Sequence, residues 1–158
     1  MKSEDLVRGS EIFLWIGGTG STNVIAFGTN ASLEVNGEQI TTTNKMSCRW
    51  ASNLAGTNSY TVSSDSLYTA KSGVTSYDRL MKDMLAGKNV DWYMGPAKAQ
   101  ATGATCDEYV YELDTTKPYY SGEGLITSLS LTAGNSDEIV SCSTTITGDG
   151  AVDQHNVD

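Results

Sequence analysis

The sequence predicts a mainly β protein: an antiparallel β-sandwich or barrel flanked by one α-helix. Its 158 residues include 18 Ser, 19 Thr and 16 Gly, and only 18% are charged, a composition typical of strands joined by tight turns. Short β-rich runs recur along the chain between Gly, Asn and Pro residues. One segment, about residues 76–86, has helical spacing. A chain of this length is expected to form a single domain, residues 1–158.

Charge and hydropathy exclude several classes of protein. The chain has 10 Lys and Arg against 19 Asp and Glu, which gives a net charge of -9. Proteins that bind the outside of a nucleic acid need a basic patch, so the net charge disfavours a nucleic-acid-binding protein of this kind. The mean hydropathy of -0.27 excludes a bundle of membrane-spanning helices. The first ten residues lack the apolar run of a signal peptide, so we expect the chain to fold in a reducing cytoplasm.

The first strands are predicted from short β-rich runs. Residues 12–16 form an apolar run that a glycine cluster ends, and residues 24–35 and 38–43 are the next two runs. Between these two lies Asn36-Gly37, the strongest short-range signal of a β-hairpin. We therefore predict that two separate strands meet at this dipeptide.

Residues 44–58 show no clean period and are predicted to form a long loop. The loop contains three large apolar side chains, Met46, Trp50 and Leu54. Long loops in compact domains are usually functional. Strand character returns at residues 59–68.

The helix is predicted from an apolar stripe with a start and a stop signal. Thr75 or Ser76 can cap its first turn, and Gly87 supplies a C-terminal stop. The stripe recurs at i, i+3, i+4, i+7 and i+8. Its members are Tyr77, Leu80, Met81, Met84 and Leu85.

The last third of the chain shows the most regular alternation of side chains between the two faces of a strand. Residues 89–94 and 109–113 are predicted strands, and residues 125–132 and 139–147 form a β-hairpin around a turn at Gly134-Asn135. The total is seven or eight strands. The terminal segments, an N-terminal arm at residues 1–8 and a tail at residues 151–158, are predicted to be flexible.

Residue patterns that would indicate a catalytic or cofactor-binding site are weak. The one histidine, His155, lies in the predicted frayed tail, where a catalytic triad is improbable. Gly17 to Gly20 lacks the Lys-Ser/Thr of a phosphate-binding loop. The sequence therefore predicts no catalytic residue, no cofactor and no enzyme activity.

Metal and disulfide sites are likewise not predicted. Cys48, Cys106 and Cys142 are too far apart for zinc-type spacing, and their odd number argues against a disulfide framework. We predict that all three are buried thiols. The sequence thus points to no metal site.

The order of several motifs resembles the major tail tube proteins of long-tailed, non-contractile bacteriophages. Residues 11–17 resemble that family's opening hydrophobic strand, and residues 59–68 end in its Asp-x-Leu-Tyr turn. A helix like residues 77–86 follows in the family. Residues 122–133 and 143–150 are similar to its last two strands. The resemblance covers nearly the whole chain in order and length.

The resemblance implies a structural virion protein. Such subunits form ring-shaped hexamers that stack into the tail tube, and the genome passes through this tube during ejection without specific binding. The implied partners are other copies of the chain, the tail terminator, the tape measure protein and the baseplate or distal tail proteins, with no membrane. The implied location is the virion tail, after assembly in the host bacterial cytoplasm.

Candidate contact residues follow from that resemblance. Glu34 and Glu38, beside the predicted hairpin, and Glu138, before the last strand, are lumen-facing candidates. Inter-ring contacts are expected from the loop residues and from the N-terminal arm. These residues are Met46, Trp50 and Leu54 in the loop, and Leu6 and Val7 in the arm.

Two alternative functions remain open at this stage. One is the inner-tube protein of a contractile tail or injection system, which only a sheath partner would distinguish. The other is a monomeric β-sandwich that binds carbohydrate or protein. The assembly state of the purified protein separates this last class from the tubes.

Overall fold

One antiparallel sheet of six strands and one helix make up the described part of the chain. The computed structural model describes residues 7–157. The sheet order is β1-β4-β5-β6-β3-β2. The elements are β1 (Ile12–Ile16), β2 (Gly28–Thr41), β3 (Asn53–Leu67), α1 (Tyr77–Leu85), β4 (Asn89–Pro96), β5 (Tyr119–Thr132) and β6 (Ser141–His155).

A single apolar core lies on one face of this sheet. Side chains directly opposite one another on paired strands share a face, so the register defines rows across the sheet. The central core row consists of Leu33, Val62, Ile146 and Ile126. The last three are almost fully buried. All six strands contribute to the same hydrophobic cluster, which also contains Trp92.

The sheet bends until its two edge strands approach each other. The segment before β2 runs beside β1: the Ile25 N–H donates to the Leu14 carbonyl at 3.0 Å, and the Ile16 N–H donates to the Asn23 carbonyl at 2.9 Å. One sheet thus wraps around one core. The predicted fold class, mainly β with a flanking helix, is confirmed.

Helix α1 covers one side of the core. Leu80 is buried and belongs to the main cluster, and Met84 packs against that cluster. Ser76 occupies the N-cap position, and Gly87 follows the helix with a φ of 63°, the left-handed conformation that favours glycine. Leu85, predicted on the apolar stripe, is instead 79% exposed.

The predicted hairpin at Asn36-Gly37 is wrong. Strand β2 runs through this dipeptide, and the chain turns instead between Thr42 and Ser52, where the Thr42 N–H donates to the Ser52 carbonyl at 2.8 Å. A tight turn of this type needs positive φ at both central residues, and neither residue has one. The long β3 pairs with β2 along nearly its whole length, with two irregularities, one between Gly28 and Asn30 and one between Gly37 and Gln39. Leu54 therefore lies in β3, not in a loop.

Three further predictions from the second half differ from the structure. Residues 109–113 form no strand; only Leu113 makes an isolated bridge, to Ala97. The predicted frayed tail continues β6 to His155, which is paired with Tyr119. The described residues hold six strands rather than seven or eight. The final hairpin is present as predicted, although its strands are longer.

Candidate functional site

The four long strands carry a hydroxyl-rich surface opposite the core, which we call the polar face. It comprises three cross-strand rows on β2, β3, β6 and β5. The first row is Asn30, Asp65, Ser143 and Ser130; the second is Ser32, Ser63, Thr145 and Ser128; the third is Glu34, Thr61, Thr147 and Leu125. Strand alternation places these rows on one side and the core rows on the other.

Neighbouring donors hold the carboxylates of the polar face. Ser143 Oγ donates to Asp65 Oδ1 at 2.6 Å, and Asn30 Nδ2 donates to Asp65 Oδ2 at 3.5 Å. Asn36 Nδ2 donates to Glu34 Oε1 at 3.1 Å. These bonds fix the direction of the negative charges on an exposed surface.

Basic side chains are absent from the four long strands. Strands β2, β3, β5 and β6 contain no Lys or Arg, although the chain has 10. Apart from Leu125, the polar face therefore offers hydroxyls, amides and carboxylates. It can hydrogen-bond water, but it has no cation with which to bind a phosphate.

The predicted lumen residues fall in two places. Glu34 lies on the polar face, and the alternation of β2 puts Glu38 on the same side, where Thr57 Oγ1 donates to Glu38 Oε2 at 2.8 Å. Glu138 lies in the turn between β5 and β6, where its carboxylate accepts the Asn135 N–H at 3.3 Å. The structure thus groups the first two glutamates and separates the third.

The predicted contact loop is the tip of a long β2–β3 hairpin. The tip is residues 42–52. Met46 and Trp50 are 91% and 82% exposed there, and Leu54, at the start of β3, is 61% exposed. Of the two predicted arm residues, Val7 is exposed, and Leu6 lies outside the described residues.

His155 is held at the end of β6. Its Nε2 lies 2.8 Å from Ser121 Oγ, and its ring stacks on Tyr119 at a centroid distance of 4.3 Å. Among residues 7–157, no carboxylate hydrogen-bonds to the imidazole, so the arrangement lacks the third member of a triad. No group of residues in this range is arranged to hold a metal ion.

The prediction of three buried thiols holds for one cysteine only. Cys48 and Cys106 are exposed, whereas Cys142 is buried. Burial raises the pKa of the Cys142 thiol, and a hydrogen bond to Ser66 opposes this effect. Cys142 therefore behaves as a core residue.

Comparison with known proteins identifies the family. The family model described as phage tail tube protein matches residues 6–154. The chain belongs to the phage tail tube protein family. No curated protein sequence matches this tail tube protein. The family makes it a structural component of a virion tail, as its sequence resemblance implied.

Solved structures share the fold of this tail tube protein at low sequence identity. The tail of an empty GTA particle, refined with C6 symmetry, is 18% identical, with a TM-score of 0.68 over 94% of this chain and 98% of that chain. The SPP1 tail tube is 9% identical, with a TM-score of 0.64 over 97% and 81%. The sheath-tube complex of the PVC extracellular contractile injection system is 12% identical, with a TM-score of 0.63 over 98% and 95%.

One residue of the polar face of this tail tube protein escaped sequence reasoning. Asp65 belongs to the polar face, but its place depends on the pairing of β3 with both β2 and β6. The alternation of Ser and Thr in β3 and β6 was the available signal. The structure also contains, among its described residues, no helix long and apolar enough to cross a membrane.

Proposed function

We propose that six copies of this tail tube protein close into a ring with the polar face toward the bore. Stacked rings then form the tube through which the genome leaves the particle. Support comes from the family and from the C6 symmetry of a structurally similar tail. The observation that carries the proposal is the polar face itself, which spans four strands in register without a basic residue.

Two open strand edges support ring closure. Within the described residues, the outer edge of β2 has no partner strand, and β5 pairs with β4 only up to Leu125. The remainder of β5, residues 126–132, is a second open edge. Exposed edges of this length invite pairing with another chain. Pairing β2 of one copy with β5 of the next copy removes both edges.

Because each copy contributes an even number of strands, pairing β2 with β5 of the next copy keeps the whole barrel antiparallel. Neighbours in the run β5, β6, β3 and β2 are all antiparallel, so β2 and β5 point in opposite directions. A copy added beside β2 therefore continues the antiparallel alternation when it is rotated about a common axis. Four strands from each of six copies form a closed barrel without an edge, which the ring symmetry requires.

A polar, acidic bore suits the passage of DNA. Phosphates bind to Lys and Arg, and each such contact strengthens binding in a salt-dependent manner. The polar face offers no such contact and places carboxylates at Glu34, Glu38 and Asp65. DNA is then guided by confinement rather than by affinity. Only charges that project into the bore matter, because the screening length is about 8 Å at physiological salt.

Stacking is assigned to the hairpin tip and the N-terminal arm. Met46, Trp50 and Leu54 expose apolar surface beyond the core, and large exposed apolar groups mark interaction sites. Val7, in the N-terminal arm, is 65% exposed, and we assign it to the same contacts between rings. We propose the same role for Leu6, which lies outside the described residues.

The proposal also covers the proteins that bind the ends of the tube and whether the tail is contractile. A terminator, a tape measure protein and a distal tail protein would bind the terminal rings, and the family implies no catalytic role. The fold is shared with the tube of a contractile injection system as closely as with the SPP1 tail tube. A contractile role would need a sheath bound to the outer surface. Co-assembly with a sheath protein would reveal it.

The orientation of the polar face is tested by charge reversal. Glu34→Lys with Glu38→Lys puts two cations per copy on this face. Tubes should still form, retain polyphosphate or DNA at low salt, and release it as salt is raised. Asp107→Lys with Asp137→Lys changes two exposed acids outside the sheet by the same charge and serves as the control. If the first variant forms tubes that bind no more polyanion than the control, the polar face does not line the bore.

A further inference from the structure

We propose that the hairpin tip of one copy docks into an acidic groove on a second copy. The tip is residues 42–52, and the groove lies on the side of β4, β5 and β6 away from the core, at the end of the polar face beyond Leu125 and Thr147. This inference rests on the proposed role of the tip in tube assembly and names the surface that receives it. Charge, shape and exposure of the two surfaces carry it.

The groove offers concentrated negative charge and open space. It has a volume of about 400 Å³ and is open to solvent. Asp91 lies directly opposite Glu123, and Glu123 lies directly opposite Asp149 on the next strand. Like charges in such positions destabilise a sheet. The residues that line the groove include Asp153 but no Lys or Arg. A cation from another copy would relieve this repulsion.

The groove can also accept an aromatic ring. Part of its lining is Gly150 and Ala151, and a Cβ on Gly150 would meet no atom within 4 Å, so the space above the backbone is open there. Tyr93 is half-buried and provides an aromatic surface. Aromatic side chains stack or meet edge to face with favourable energy. The groove therefore combines carboxylates with a surface for an indole.

The tip presents the complementary chemistry. Lys45 and Arg49 flank the exposed Met46 and Trp50. Within residues 7–157, neither Lys45 nor Arg49 forms an ion pair. The chain carries only 10 basic residues, so this pair beside two large apolar groups is a distinctive positive patch on an acidic protein. Arg and Trp are among the residues that contribute most to interfaces.

Hydrogen bonds preorganise the tip for docking. The Ser47 N–H donates to the Asn44 carbonyl at 3.0 Å, and the Met46 N–H donates to Asn44 Oδ1 at 2.8 Å. The Trp50 N–H donates to the Ser47 carbonyl at 3.1 Å. A turn that is already ordered loses less entropy on binding. Charge complementarity selects a second copy, since the groove and the tip occur on every subunit.

A charge swap tests the pairing. The tip variant carries Lys45→Glu and Arg49→Glu, and the groove variant carries Glu123→Lys and Asp153→Lys. Each should raise the protein concentration needed for tube formation by about tenfold or more, because the docked surfaces then repel. The variant with all four changes should assemble near the wild-type concentration. Asp107→Lys with Asp137→Lys is the charge-matched control for the groove variant.

The outcomes separate this inference from the proposed function. Recovery of assembly in the four-fold variant supports the docking. A tip variant that fails to assemble beside a groove variant that assembles like the control overturns the docking but leaves the tip at an interface. Normal assembly by both variants overturns the role of the tip itself. No recovery in the four-fold variant, with all variants folded by circular dichroism, also overturns the docking.

Discussion

Leu80 is the buried residue of helix α1, and it ties the helix to the sheet. Its side chain is 2% exposed and lies in the cluster that also contains Trp92 and Ile126. Leu80→Asp should lower the free energy of unfolding by about 3–5 kcal/mol, because it removes apolar packing and buries a charge without a partner. Denaturant melts measure this change.

Leu85→Asp is the matched control on the same helix. Leu85 is 79% exposed, so the same substitution should cost only about 1 kcal/mol or less, mainly from a carboxylate at the C-terminal end of the helix. Equal effects at the two positions would contradict the burial described for α1.

The three thiols should differ in reactivity. Cys48 and Cys106 are exposed, whereas burial raises the pKa of Cys142 and removes it from solvent. A maleimide should label two cysteines in the native subunit and the third only in denaturant. Rapid labelling of Cys142 in the folded subunit would show that the β6 side of the core is open.

Sequence reasoning at the residue scale succeeded where burial follows from local spacing. The 3.6-residue period found Leu80 and Met84, because both face the sheet. It missed the exposure of Leu85, the last residue of the helix. The exposure of Cys48 and Cys106 depends on loop paths, which carry no period. The grouping of Asp65 with Glu34 depends on the register of distant strands.

At the scale of elements, the final hairpin was predictable and the first was not. The alternation in residues 139–147 and the turn signal at Gly134-Asn135 are local, and the structure contains the strand and the turn that they predict. The Asn36-Gly37 signal is also local, but β3 is long enough to pair with β2 on both sides of it. The energy of a complete ladder overrides the preference of two residues for a turn.

Two carboxylates order the connection between β4 and β5. The Thr105 backbone N–H and hydroxyl lower the pKa of Glu108, and the Thr116 hydroxyl and N–H lower the pKa of Asp114. A lowered pKa in the folded state means that the stabilisation is present above the ordinary value, about 4, and is lost as pH falls through the lowered value. This connection should therefore loosen only in acid.

Thr105→Ala isolates one of these carboxylates. Removal of the hydroxyl takes away one donor to Glu108 while the Thr116 contacts of Asp114 remain. NMR titration of the Glu108 carboxyl should then show a midpoint at higher pH than in the parent protein. An unchanged midpoint would mean that the side-chain contact does not hold the carboxylate.

The tip of the β2–β3 hairpin should be needed for assembly and not for folding. Residues 44–51 contribute no side chain to the core cluster. Replacement of this segment by a short Gly-Ser turn should leave thermal unfolding nearly unchanged and prevent tube growth. The same exchange at residues 101–104, another exposed loop, is the control. Normal tube growth by the tip variant would remove the tip from the interface.

For the whole molecule, one sheet has two surfaces with separate tasks. The core surface stabilises the subunit, and the polar face is free of basic residues over four strands. In the proposed assembly, the open edge of β2 in one copy pairs with the open edge of β5 in the next copy, and this pairing closes the ring. Composition predicted the abundance of hydroxyls, but only the register shows that many of them align in three cross-strand rows on one face.

The central claim is that the polar face lines the bore of a six-fold ring. Electron cryomicroscopy of tubes grown from the purified protein tests it most directly. The account predicts six copies per ring, a continuous antiparallel barrel with four strands from each copy, and Glu34 and Asp65 facing the bore. A tube whose bore is lined by α1 or by β1 and β4, or a filament without a central channel, would contradict it.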